Sequence, residues 1–242
     1  ILTTNTFGAA PLNLRRHALD DRTEEINRNA VQAVREAAGD RAYVSASMGP
    51  CGAILKPYGD VEEEEVYASF LRQARALAEA GSNLFCVETM SDLREAVLAV
   101  RAAKTAAPEL PVVATMTFES TPRGFYTIMG TGVEAACSGL EEAGADLVGT
   151  NCGFGIETMV ELAGVFALHA AVPVVVQSNA GIPENRGGEV VYPESPAFMA
   201  DHVPALIALG VAVVGGCCGT TPEHIRAIRR VVDATQGPSS PG

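Results

Sequence analysis

Tryptophan is absent from the 242 residues, and aromatic side chains make up only 5% of them. The interior must therefore be built from Ala, Val, Leu and Ile, with little help from ring stacking. Basic charge is also scarce. Seventeen Lys and Arg face 29 Asp and Glu, for a formal net charge of −12. Such a surface repels phosphate backbones and anionic lipid, and no cluster of Lys and Arg interrupts it. Neither nucleic acid nor a membrane is expected as a partner. No apolar run reaches the roughly 18 residues of a membrane helix. The first residues, Ile1-Leu2-Thr3-Thr4, lack the basic region and apolar core of a secretory signal. Six cysteines are too sparse here for a disulfide scaffold. Reduced thiols and a cytoplasmic setting are the expectation.

The residues that remain are 48% hydrophobic and strongly patterned. Helical spacing predicts helices over 22–38, 61–80, 92–104, 133–143, 156–169 and 197–209, and a last one that Thr221 caps and Pro222 opens. Short continuous apolar runs predict strands at 42–46, 84–89, 111–117, 146–150, 173–177 and 211–214, after an opening strand at Ile1. Continuous apolar strands alternating with helices describe a parallel sheet buried on both faces. Polar residues recur where these strands end, which is where such folds bind ligands. A nucleotide-binding open sheet would need a glycine-rich loop after its first strand, and none is present. The expected fold is α/β, a (β/α)8 TIM-type barrel lacking its first strand and helix in this chain. It fills 1–235 as one domain, and 236–242 reads as a linker-like tail.

Two turns carry the chemistry. Gly215-Gly216-Cys217-Cys218-Gly219-Thr220 ends the last strand, and Thr150-Asn151-Cys152-Gly153 ends another. If those strand ends lie close, three thiolates converge and leave one open position, the pattern of a catalytic zinc site. A soft sulfur set favours zinc over magnesium or calcium. Three unrelated buried cysteines, or a vicinal disulfide between Cys217 and Cys218, are equally compatible with the pattern alone. Cys86 in a strand and Cys137 on a helix read as buried small side chains. Cys51 reads as an exposed loop residue without a role.

The sequence resembles the homocysteine S-methyltransferase family. The likeness rests on Gly-Gly-Cys-Cys-Gly-Thr-Thr-Pro-Glu-His (215–224), Thr-Asn-Cys-Gly (150–153), Ser-Asn-Ala-Gly-Ile-Pro (178–183) and Thr-Asn-Thr-Phe-Gly-Ala (4–9), in that family's order over nearly the whole chain. It implies a (β/α)8 barrel that holds Zn2+ through Cys152, Cys217 and Cys218, with Asn179 able to take the fourth position. By itself Asn179 reads as a turn residue. The reaction implied is methyl transfer to the thiol of L-homocysteine, giving methionine, with the metal-bound thiolate as nucleophile. Only a thiolate attacks, and a metal ion keeps a thiol deprotonated at neutral pH. Three protein thiolates leave the complex anionic, which suits methyl transfer better than activation of water.

Glu88 ends an apolar strand, a costly place for a carboxylate without a partner. The resemblance assigns it to the amino group of the substrate. The Ser-Asn-Ala-Gly segment and the tail lean toward the cobalamin-dependent methionine synthase branch, with methylcobalamin met on a separate domain or protein. Betaine, S-methylmethionine or S-adenosylmethionine as donor, another thiol as acceptor, and a non-enzymatic metal-binding or redox module are the alternatives. The family's first strand carries an Asp-Gly motif that nothing here matches. That departure implies half a substrate pocket and a fragment inactive by itself. The four histidines read as ordinary, with His224 on the surface of the last helix.

Overall fold

The computed structural model describes residues 1–236. The chain runs β1 (Leu2–Thr3), α1 (Pro11–Arg15), α2 (Thr23–Ala38), β2 (Val44–Met48), α3 (Glu63–Glu79), β3 (Leu84–Met90), α4 (Leu93–Ala106) and β4 (Val112–Met116). It continues β5 (Glu119–Thr121), β6 (Gly124–Tyr126), α5 (Val133–Glu142), β7 (Leu147–Asn151), α6 (Ile156–His169) and β8 (Val174–Ser178). The last elements are β9 (Glu184–Arg186), β10 (Glu189–Val191), α7 (Pro196–Ala208), β11 (Val211–Gly216) and α8 (Pro222–Gln236). Gln236, expected in the tail, ends α8, and the rest of that tail lies outside the described residues.

Seven strands form one parallel sheet in the order β1-β2-β3-β4-β7-β8-β11. The sheet curls until β1 and β11 face each other across a cavity of about 570 Å3, lined by Leu2, Thr3, Gln177 and Val213 among others. This is the expected TIM-type barrel, one strand short of eight among the described residues.

Side chains alternate across each strand. Phe85, Val87, Val112, Ala114 and Val176 point outward and pack with the helices in the main core. Cys86, Val113 and Val175 point inward and form a small core of their own. Two steps along each inward line stand Glu88, Thr115 and Gln177. The strand period alone thus carries polar residues to the barrel mouth.

Two antiparallel hairpins, β5–β6 and β9–β10, follow β4 and β8. Both occupy stretches the sequence presents as loops. Their strands are three residues long and largely exposed, so they carry no apolar alternation to read. Two further expectations need correction. Cys51 is not exposed: it is 1% accessible, because its loop folds inward and its amide donates to Glu95 Oε1 at 2.7 Å. His224 is not on the helix surface. The segment after β10 covers it, and its Nε2 meets the Glu194 carbonyl at 3.0 Å.

Candidate metal centre

Strand β8 lies between β7 and β11 and fixes the height of both. Gln177 is level with Asn151 on one side and Gly215 on the other. Cys152 follows Asn151, and Cys217 lies two residues past Gly215, so the two cysteine turns emerge together at the mouth. Their backbones are fastened to the same strand. The Cys152 amide donates to Gln177 O at 3.1 Å, and the Cys217 amide to Ser178 O at 2.7 Å.

The sulfurs of Cys152, Cys217 and Cys218 lie within 4.8 Å of one another. Cys152 Sγ and Cys218 Sγ are 3.8 Å apart. Two sulfurs each about 2.3 Å from a zinc ion at the tetrahedral angle are separated by about 3.8 Å. The donor set and its spacing therefore fit zinc. All six cysteines are free thiols, and of the three at the mouth Cys218 is exposed and the others half-buried. A hydrogen bond from Cys217 pulls the Cys152 thiol down to about 5, against the opposing effect of burial. The same bond, with burial behind it, pushes Cys217 up. Within the trio, Cys152 is therefore the thiol that gives up its proton most readily.

Asn179 stands beside this group. Its Oδ1 accepts the Cys218 amide at 3.1 Å, which ties the loop after β8 to the double-cysteine turn. Gly219 follows with a φ of 77°, and the ring of Tyr192 occupies the space where a Cβ would project. Burial, then the charge of Cys218, raises the Tyr192 hydroxyl above its ordinary range. Sequence reasoning missed Tyr192, which reaches the site from the end of a hairpin without local signal.

Glu88 points into the mouth from β3. Burial raises its carboxyl, a hydrogen bond from Ser47 Oγ lowers it, and the neighbouring Cys152 raises it again. Ser47 is itself held by the segment after β1: its amide donates to Thr4 Oγ1 at 3.0 Å, and Thr6 Oγ1 donates to its carbonyl at 2.7 Å. The Thr-Asn-Thr segment therefore supports Glu88 indirectly, through Ser47. Asn151, quoted above only as part of a turn, is fully buried and bonded to Thr89, Thr115 and Cys217.

The profile of the homocysteine S-methyltransferase family matches residues 1–232. The chain belongs to the homocysteine S-methyltransferase family. Methionine synthase from Mycobacterium leprae is 33% identical over 96% of the chain, and that from Mycobacterium tuberculosis 34% identical over 95%. The chain spans 20% of the length of each of these curated relatives. Among solved structures, the metallated form of the homocysteine methyltransferase MmuM from Escherichia coli superposes with a TM-score of 0.76. That match has 22% identity and covers 94% of this chain and 78% of the other. The apo form of MmuM gives a TM-score of 0.69 over 87% of this chain. At these identities the likeness to MmuM speaks for the barrel. No described helix is long and apolar enough to cross a membrane.

Proposed function

We propose that this chain is the homocysteine-binding barrel of a zinc-dependent methyltransferase that moves a methyl group to the thiol of L-homocysteine, forming methionine. The observation that carries this reading is the meeting of three sulfurs, spaced for one zinc ion, with the half-buried Glu88 carboxylate at the same mouth. Cys152, Cys217 and Cys218 would hold the ion. When bound, zinc lowers the pKa of a coordinated thiol and keeps it a thiolate at neutral pH. Asn179 would complete the coordination until substrate arrives, and its bond from the Cys218 amide keeps it beside the cage. Glu88 is a carboxylate in a largely desolvated place, where pairing with the substrate's ammonium group recovers the cost of burial. It would orient the amino acid so that its thiol faces the sulfur cage.

The methyl donor in this reading is methylcobalamin carried on another module. Supporting it is the match to one fifth of two methionine synthases, which leaves most of each relative for other tasks. The domain assignment is a single barrel that runs through the end of α8 at Gln236, and the partners are L-homocysteine and the donor-carrying module.

Metal analysis tests the core of the proposal. The purified chain should carry one zinc, and Cys218→Ala should lose it, since structural and catalytic zinc sites alike need at least three protein ligands. A metal-free chain with a Cys217–Cys218 disulfide would replace the methyltransferase with a redox module. A panel of methylcobalamin, betaine and S-methylmethionine, each offered with homocysteine, then identifies the donor.

A further inference from the structure

Asn151 is the last residue of β7, 0% exposed, and its side chain turns into the barrel. A carboxamide offers two acceptor positions and two N–H donors. All four are in use. Oδ1 accepts the Thr89 amide at 2.8 Å and the Thr115 hydroxyl at 2.8 Å. Nδ2 donates to Thr89 Oγ1 at 2.7 Å and points its other hydrogen at Cys217 Sγ, 3.8 Å away. The orientation of the amide is not arbitrary. A backbone N–H can only donate, so the atom facing Thr89 N must be the oxygen, and the atom facing the sulfur must be the nitrogen.

Thr89 is held on both its amide and its hydroxyl by this one side chain. It also has a φ of 61°, a left-handed conformation that a β-branched residue adopts only when its surroundings enforce it. Cys152, which follows Asn151, has the same φ of 61°. Two non-glycine residues in that conformation therefore flank a single buried amide. One itself supplies a sulfur of the cage and the other follows Glu88 directly.

We infer that Asn151 is a positioning residue that fixes Cys217 Sγ and, through Thr89, Glu88 in one frame, so that the sulfur cage and the carboxylate opposite it keep a set separation. The Nδ2 hydrogen also places positive partial charge against one sulfur of a cage that is otherwise anionic. Such outer contacts orient a metal ligand and tune its donor strength. This inference rests on the zinc reading above, and the experiment separates the two.

Zinc affinity is measured by competition with a chromophoric chelator, for the parent chain, Asn151→Asp and Thr115→Val. Asn151→Asp keeps the shape but turns an oxygen toward the sulfur. Its zinc affinity should fall by about 10-fold to 100-fold, the usual effect of losing an outer-shell partner. With cobalt(II) in place of zinc, its sulfur-to-metal charge-transfer band should shift, which a general loss of stability would not cause. Thr115→Val touches no sulfur yet frees Oδ1 on one side, and should weaken zinc binding in the same direction by less. A parent chain that binds no zinc overturns the zinc reading and this inference with it. A parent that binds zinc, beside an Asn151→Asp protein within about twofold of its affinity and with an unshifted cobalt band, overturns this inference alone. If Asn151→Asp does not fold, an unchanged affinity in Thr115→Val does the same.

Discussion

Gly219 shows how narrowly the double-cysteine turn is specified. Its φ of 77° is left-handed, and Tyr192 fills the volume a side chain would need. Gly219→Ala should therefore lower stability by about 1–2 kcal/mol for the backbone alone. It should also push Tyr192 off the turn, visible as an increase in tyrosine exposure in solvent-perturbation spectra, with the stability read from denaturant midpoints. At this scale the sequence was informative for the cysteines and for Glu88. The cysteines stand just past strand ends and Glu88 inside an apolar strand, so their places at one mouth could be anticipated. Asn151 was not legible in the same way. Its partners Thr89 and Thr115 are 62 and 36 residues distant, and before folding it looks like any turn asparagine.

Among elements, the hairpin β9–β10 and the segment after it act as a strap. Helix α6 is preceded by Gly155, which has no side chain to cap it. Glu194 supplies the missing acceptor from a distance, its Oε2 taking the Ile156 amide at 3.0 Å, where the helix dipole favours a carboxylate. The Glu194 carbonyl accepts from His224 Nε2 on α8 at 3.0 Å. One residue thus ties two helices to the loop that carries Tyr192. Glu194→Ala should cost about 1 kcal/mol, the usual value of a lost N-terminal cap. Limited proteolysis should then cut first within 184–191, in a strap that is no longer pinned. The helices themselves were readable. The expected 156–169 coincides with α6, and the other main helices begin and end within about two residues of expectation. Amphipathic spacing over many turns is a redundant signal. The two hairpins and the five-residue α1 are too short to have one.

For the molecule as a whole, the acidic composition makes pH the natural variable. Burial holds the Glu95 carboxyl above its ordinary 4.5, only partly offset by its hydrogen bonds with Cys51. The folded chain then binds that proton more tightly than the unfolded chain, so this group's contribution is most favourable below 4.5 and declines as pH rises above it. Glu95→Gln should flatten the fall of melting temperature on the alkaline side of 4.5, and an unaltered slope would refute the assignment. Glu24 works in the opposite direction. Its two bonds from Arg72 hold it below 4.5, so the stability it gives is lost as pH falls through its depressed value. The two effects occupy separate windows and can be told apart in one titration. The barrel class was legible from alternation and length because both are properties of the whole chain. The gap between β1 and β11 was legible only as a strand count.

That gap changes what the sulfur cage means mechanically. Cys217 and Cys218 follow β11, a rim strand whose only strand neighbour among the described residues is β8, while Cys152 follows β7, one strand further in. A cation gripped by all three would be a rivet, clamping the loosest stave of the cask to a firmly seated one. Loading the ion would then stiffen the rim as well as arm the thiol, and an emptied cage would let the mouth fray from its own edge.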